Sequence, residues 1–254
     1  MGYLHAGHIS LIRRSLKKTD VTIVSIFVNP AQFAPTEDFE KYPRDLKRDK
    51  SILRKESVDI LFYPDAGEIY QNEFQSYVDV TEMSKKFEGE FRPSHFRGVT
   101  TIVAMLFNCI KPDFVFLGQK DAQQAAIIQR MVNDLKFDLK IIICPIVREK
   151  DGLALSSRNV YLSHQERKDA LVLNNSLKLA AKMIKEGERE SSKILSEMER
   201  LIRSVKSSKL DYLKIVRQDS FTEAKTLNKG LKYYILVACW IGKTRLIDNL
   251  LIKV

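Results

Sequence analysis

The sequence predicts an α/β protein: a doubly wound parallel sheet with helices on both faces, followed by a small C-terminal α+β domain. Three observations predict it. Over residues 1–146, strand-length apolar runs alternate with helical patterns, the mark of a parallel sheet covered by helices. Those runs are rich in Val, Ile and Phe without polar alternation, as in strands buried on both sides. After residue 150 the order changes to two charged helices and then three consecutive strand-like runs, which sets residues 147–254 apart as a second domain.

The elements follow in order. "GHISLIRRSLKK" places Ile9, Leu11, Ile12 and Leu16 on one helical face. "VTIVSIFV" reads as a buried strand ended by Asn29-Pro30. "AQFAPTEDFEKYPR" is a polar loop, "DLKRDKSILRKES" a helix and "VDILFYP" a strand. "EMSKKFEGEF" reads as a short helix and Val99 to Ile110 as a longer one. "PDFVFLG" is a strand, "DAQQAAIIQRMVNDL" an amphipathic helix and "LKIIICPIV" a strand. "REKDGLALSSRNVYLS" is a polar loop before helices at about Gln165 to Glu186 and Ser191 to Ser207. "LDYLKIV", "YYILVACWI" and "TRLIDNLLI" are the closing strands.

With 254 residues, 44% hydrophobic and 29% charged, the chain has the composition of a globular protein able to bury a core. No apolar run approaches the ~18 residues of a membrane span, and the start lacks the apolar core of a signal peptide. A cytoplasmic protein without membrane contact is expected. Cys109, Cys144 and Cys239 are far apart in apolar stretches and read as three buried thiols, with no disulfide or zinc spacing. The net charge is +10. The basic residues are spread among acids and apolar residues, with no recognition motif, so anionic small molecules are expected rather than nucleic acid.

Three segments suit phosphate. His5, Gly7 and His8 form H-x-G-H at the mouth of the first helix, where free N–H groups and partial positive charge gather. "FLGQKDAQQ" ends a strand and starts a helix, a place that faces the ligand crevice in doubly wound sheets. It offers Lys120 as a cation, Asp121 as a helix cap, and Gln124 one turn on. "LALSSRN" offers Ser156, Ser157 and Arg158 in one loop. Each has an ordinary reading: a histidine pair that is structural or binds metal in passing, a helix cap at Asp121, a turn. Together they point to an enzyme using ATP or another nucleotide.

"MGYLHAGH", "FVNPAQF", "YPRDL", "RPSHFRGV", "GQKDAQQ", "DGLALSSRN" and "TRLIDN", in this order, resemble the pantoate–β-alanine ligase family, over nearly the whole chain. The resemblance implies a Rossmann-like N-terminal domain, a C-terminal lid domain, a homodimer, and ATP with Mg²⁺. It implies that pantoate and ATP form pantoyl adenylate, and that β-alanine then gives pantothenate and AMP. His8, His5 and Lys120 would be catalytic. Met1, Gly2, Gly7, Gly118, Gln119, Asp121, Val147, Leu155, Ser156, Ser157 and Arg158 would complete the ATP site. Asn29, Gln32, Arg92, His95 and Gln124 would serve pantoate and β-alanine, with Arg92 and His95 closing over the site.

The chain departs from the family pattern at three places. Gln119 stands where Glu is frequent. Asp49 matches a carboxylate linked to Mg²⁺, but Arg48 beside it replaces a frequent acid, leaving the metal mainly to ATP phosphates and water. The family pattern also carries a strand before the H-x-G-H turn, central in the doubly wound order. Met1 is therefore expected to be an internal methionine or the chain a fragment, with unpaired strand edges, low stability and weak activity as written.

The alternatives are another H-x-G-H adenylyltransferase with a different acceptor, a non-catalytic homologue, and a basic nucleic-acid-binding module. "CWIGKT" imitates the end of a P-loop, but Val237 sits where its first glycine belongs.

Overall fold

The computed structural model describes residues 2–34 and 39–254. The expectation for Met1, and part of the loop expected before Arg44, lie outside them. The chain divides into two compact units. One holds the residues up to Gly118 together with Gln123–Pro145, and the other holds Gln119–Ala122 and Ile146–Val254.

The first unit runs α1 (Ala6–Leu16), β1 (Ile23–Ser25), α2 (Leu46–Lys55), β2 (Ile60–Phe62), α3 (Ala66–Ile69), α4 (Glu88–Phe91), α5 (His95–Ile110), β3 (Phe114–Gly118), α6 (Ala122–Asp134) and β4 (Lys140–Cys144). The strands are parallel, as the alternation of strand and helix requires. They form two pairs: β1 with β2, from Ile23↔Ile60 to Ser25↔Phe62, and β3 with β4, from Phe114↔Lys140 to Gly118↔Cys144. Among the described residues no strand joins the pairs into one ladder.

Amphipathic helices cover the pairs. Ile12 of α1 packs with Leu4, Ile26 and Leu53. Val99, Ala104 and Phe107 of α5 meet Ile128, Met131 and Val132 of α6, with Val115, Leu117 and Ile141 of the strands against them.

The second unit continues with α7 (His164–Asp169), α8 (Leu171–Lys185), α9 (Ser191–Arg203), β5 (Ser208–Arg217), β6 (Lys232–Ile241) and β7 (Thr244–Lys253). The strands form an antiparallel sheet in the order β5-β6-β7, with a register shift between Leu210 and Tyr212. Its core joins Leu173, Leu177 and Ile184 of α8 and Ile194, Met198 and Ile202 of α9 to Ile215, Ile235, Val237 and Cys239. The α/β class and the C-terminal α+β domain are thus as the sequence predicts.

Several details differ. The first strand keeps three of eight expected residues, because laddering stops once Ile26 N–H reaches the Phe62 carbonyl. The expected helix at 82–91 is a 3₁₀ turn, Met83–Lys85, followed by α4. The helix expected from Val99 starts at His95. Cys109 is exposed, while Cys144 and Cys239 are buried, because Cys109 lies in the last turn of α5 away from its packed face. No helix among the described residues is long and apolar enough to cross a membrane.

Candidate active site

The H-x-G-H segment caps its own helix. His5, extended at φ −134°, is the N-cap of α1. Its Nδ1 accepts from Gly7 N–H at 3.1 Å, and His8 Nδ1 accepts from His5 N–H at 3.3 Å. A ring nitrogen that accepts carries no proton, so each neutral ring holds its proton on Nε2. Both Nε2–H edges are donors at a helix start, where anions are favoured. The rings stack with centroids 4.0 Å apart, which fixes the two donors relative to each other.

The backbone before this cap is held by Asp49. Gly2 (φ 87°) and Tyr3 (φ 52°) are both left-handed, and Tyr3 N–H and Leu4 N–H each donate to an Asp49 carboxylate oxygen at 2.7 Å. Successive N–H groups in such a turn form a concave anion site, and this one is filled by the protein's own carboxylate. Asp49 is 1% exposed. It therefore fits poorly as the metal ligand the resemblance implies. Among the described residues, no group of three or more His, Cys, Asp or Glu side chains is placed to hold a metal ion. The protein's own described residues do not build a Mg²⁺ cage.

A second cluster gathers Asn29, Gln32, Arg92 and His95. Asn29 opens a 3₁₀ turn, Pro30–Gln32. Its Nδ2 donates to the Gly98 carbonyl at 3.0 Å, and its Oδ1 accepts from Tyr70 O–H at 2.7 Å. His95 Nδ1 lies 2.9 Å from the Gln32 carbonyl, so it is the donor there, and Nε2 is left to accept from Arg92 at 3.2 Å. Gly98 lets α5 press on this turn: a Cβ there would stand 2.2 Å from the Ala31 carbonyl oxygen. His95 is buried in the first turn of α5 and Arg92 is half-buried, so these two brace Gln32. His95 thus lies in a helix rather than in a surface loop, because α5 extends back to include it. Burial pushes the Tyr70 phenol up to about 12, against the pull of its bond to Asn29. Gln124 is half-buried on α6. Its neighbour Gln123 is structural, donating to the Met83 and Lys86 carbonyls at 3.0 and 2.7 Å.

Except for Gly118, which ends a strand of the first unit, the remaining candidates lie in the second unit. Gln119–Asp121 is a 3₁₀ turn. Lys120 Nζ lies 3.5 Å from Asp121 Oδ1, and its side chain is 22% exposed. Val147 and Leu155 face each other across a hairpin, Leu155 N–H donating to the Val147 carbonyl at 3.0 Å. The hairpin turns at Gly152 (φ 101°), where a Cβ would meet Asn174 Nδ2 at 2.2 Å. Ser156 Oγ accepts from Arg158 N–H at 3.3 Å and starts a 3₁₀ turn, Ser157–Tyr161. Leu155 to Arg158 are half-buried. Burial disfavours the Asp151 carboxylate, yet the Leu153 N–H and the Arg167 guanidinium hold it below the usual range. At Gly118 an added Cβ would meet nothing within 4 Å.

Sequence reasoning gave no role to Asp248 and Asn249. Asn249 bonds both carbonyls of the Gln119-Lys120 turn. Asp248 takes Arg148 through two bonds of 2.6 and 2.8 Å. The available signal was a tandem Asp-Asn inside the apolar run "TRLIDNLLI", since buried polar groups in a strand require partners.

The sequence model of pantoate-beta-alanine ligase matches residues 1–251. Pantothenate synthetase of Thermotoga petrophila is 50% identical over 249 residues, which cover 98% of this chain and 88% of that one. The Caldicellulosiruptor bescii pantothenate synthetase is 51% identical over 253 residues, 100% of this chain and 89% of that one. The crystal structure of pantothenate synthetase from Thermus thermophilus superposes with a TM-score of 0.94 at 41% identity, covering 98% of this chain and 90% of that one. That of pantoate-beta-alanine ligase from Francisella tularensis, complexed with beta-gamma ATP and beta-alanine, gives 0.78 at 36% identity, covering 99% and 87%. The chain belongs to the pantoate-beta-alanine ligase family.

Proposed function

We propose that this chain condenses pantoate with β-alanine to pantothenate at the expense of ATP, releasing AMP and pyrophosphate. The family match over residues 1–251 carries the reading, and the self-capped H-x-G-H turn gives it a chemical basis. A pantoate carboxylate oxygen attacks the α-phosphorus of ATP. The bond to the bridging oxygen breaks, and pyrophosphate leaves with the electron pair. The amine of β-alanine then attacks the acyl carbon of pantoyl adenylate. AMP leaves with the former carboxylate oxygen, and the amine gives up a proton as the amide forms. No bond to the enzyme is required.

The main physical obstacle is bringing an anion to a polyanion, so fixed donors and cations must meet the charge that develops on the phosphoryl oxygens. His8 Nε2–H donates to the reacting phosphoryl group and His5 Nε2–H to ATP, and Lys120 bridges phosphate oxygens. The family resemblance gives further ATP contacts to Gly2, Gly7 and Gly118 of the first unit, and to Gln119, Asp121, Val147, Leu155, Ser156, Ser157 and Arg158 of the second. Gln32 and Gln124 hold pantoate, because an amide both donates to a carboxylate and accepts from a hydroxyl. Gln32 also meets β-alanine, and Asn29, Arg92 and His95 hold Gln32 in place. Mg²⁺ would be held mainly by ATP phosphate oxygens and water, and would supply charge neutralisation there. A homodimer in the cytoplasm is supported by the family resemblance, and sedimentation at assay concentration reads the first of these.

The test is oxygen tracing. Pantoate labelled with ¹⁸O in its carboxylate should transfer one ¹⁸O to AMP in each turnover. Unlabelled AMP would refute attack on the α-phosphorus.

A further inference from the structure

Asn249 sits in the middle of β7, between Asp248 and Leu250, and is 2% exposed. Its Nδ2 donates to the Gln119 and Lys120 carbonyls, each at 2.9 Å, and its Oδ1 accepts from Gln119 Nε2 at 3.1 Å. The side chain thus directs both amide protons and its oxygen at one short turn. Only a primary amide offers two N–H donors and an acceptor on so short a stem. Aspartate would turn oxygens toward two carbonyls, and an apolar residue would leave both carbonyls unpaired.

The strand holding Asn249 is itself fixed. Asn249 N–H donates to Asp248 Oδ1 at 2.7 Å, and the Asp248 carboxylate takes the Arg148 guanidinium at both oxygens. Arg148 also donates to the Gly152 carbonyl at 3.0 Å, at the turn of the hairpin that presents Val147 and Leu155. One Asp-Asn pair on β7 therefore ties down the Lys120 turn and the neighbouring hairpin within the same unit.

We propose that Asn249 is a positioning residue for adenylate formation: it fixes the backbone at Lys120, and so the place from which the ammonium reaches the phosphoryl oxygens. This rests on the role given to Lys120 above. A lysine is a point charge on a flexible four-carbon stem, so its Nζ is placed only as well as the backbone that carries it. A 1 Å misplacement of a reacting geometry costs up to about 10²-fold in rate.

The experiment is a double-mutant cycle on the full chain, reading pantoate-dependent exchange of pyrophosphate into ATP. N249A should lower kcat for exchange about 10- to 100-fold and leave the KM for pantoate unchanged. In the K120A background N249A should cost nothing further, because a residue that acts through Lys120 has nothing left to position. A merely structural role would give the same fall in both backgrounds, and that result would overturn the proposal. Wild-type kcat in N249A beside a large loss in K120A would overturn it too. Full activity in K120A would refute the role of Lys120 itself, a separate outcome. If N249A does not fold, as read by its thermal transition, N249S runs the same cycle with one donor kept and a smaller expected fall.

Discussion

Replacing Gly98 with alanine tests how tightly α5 controls Gln32. The new Cβ would stand 2.2 Å from the Ala31 carbonyl oxygen, 2.5 Å from its carbon and 2.7 Å from Gln32 N. All three are backbone atoms, so no side chain can swing away. Reaching ordinary contact requires the Pro30–Gln32 turn and the helix to part by about 1 Å. That movement breaks or lengthens the 3.0 Å bond from Asn29 Nδ2 to the Gly98 carbonyl and shifts Gln32 against His95. Overpacking of this kind costs about 1–3 kcal/mol, a fall of roughly 3–10 °C in the melting midpoint. The same displacement at Gln32 lowers kcat/KM for pantoate by about 10- to 100-fold. Pyrophosphate exchange over a pantoate series, with a thermal melt of the same sample, reads both. A G98A protein with wild-type midpoint and wild-type kcat/KM for pantoate would refute the reasoning.

Two further changes probe other supports of the site. D49N keeps the shape but presents an amide NH₂ to one of the two backbone donors at Tyr3 and Leu4, costing about 1–3 kcal/mol and about 10-fold or more in kcat as His5 and His8 shift. The Mg²⁺ concentration for half-maximal activity should stay unchanged, whereas a raised Mg²⁺ requirement would mark Asp49 as a ligand. Y70F removes the 2.7 Å donor to Asn29 and should cost about 1 kcal/mol. The folded protein holds the Tyr70 proton up to about pH 12, against an ordinary 10.0. The stability linked to it is whole below pH 10 and falls as pH rises toward 12. Denaturant titrations across that range should show a shallower alkaline decline in Y70F, and equal slopes would contradict it.

Periodic elements were the most legible in the sequence. α6 and α9 each carry an apolar stripe that meets a core, and β6 is apolar on both faces because both are covered. Elements decided by distant partners were less so. Nothing local in "SHFRGV" announces that the helix begins at His95, since that residue is buried by bonding to Gln32, more than sixty positions away. Nor does "GQKDAQQ" show that Gln119–Ala122 belongs with the second unit. That follows from Asn249, 130 positions on from Gln119. The same limit applies to the candidate site. Its candidate donors were named from H-x-G-H, a lysine at a strand end and a serine–arginine loop. The groups that hold the backbone beside them were not, because Asp49 and Asn249 act through tertiary contacts, as Gly98 does at the Gln32 turn. Asp49, matched by resemblance to a carboxylate linked to Mg²⁺, shows the same limit: nothing local announces that its oxygens meet the Tyr3 and Leu4 N–H groups.

The most direct test of the account is exchange of labelled pyrophosphate into ATP by this chain, with Mg²⁺ and without β-alanine. Exchange should occur only when pantoate is present and should be lost in H8A. Exchange without pantoate, or none from a folded sample with pantoate, would contradict adenylate formation by this chain.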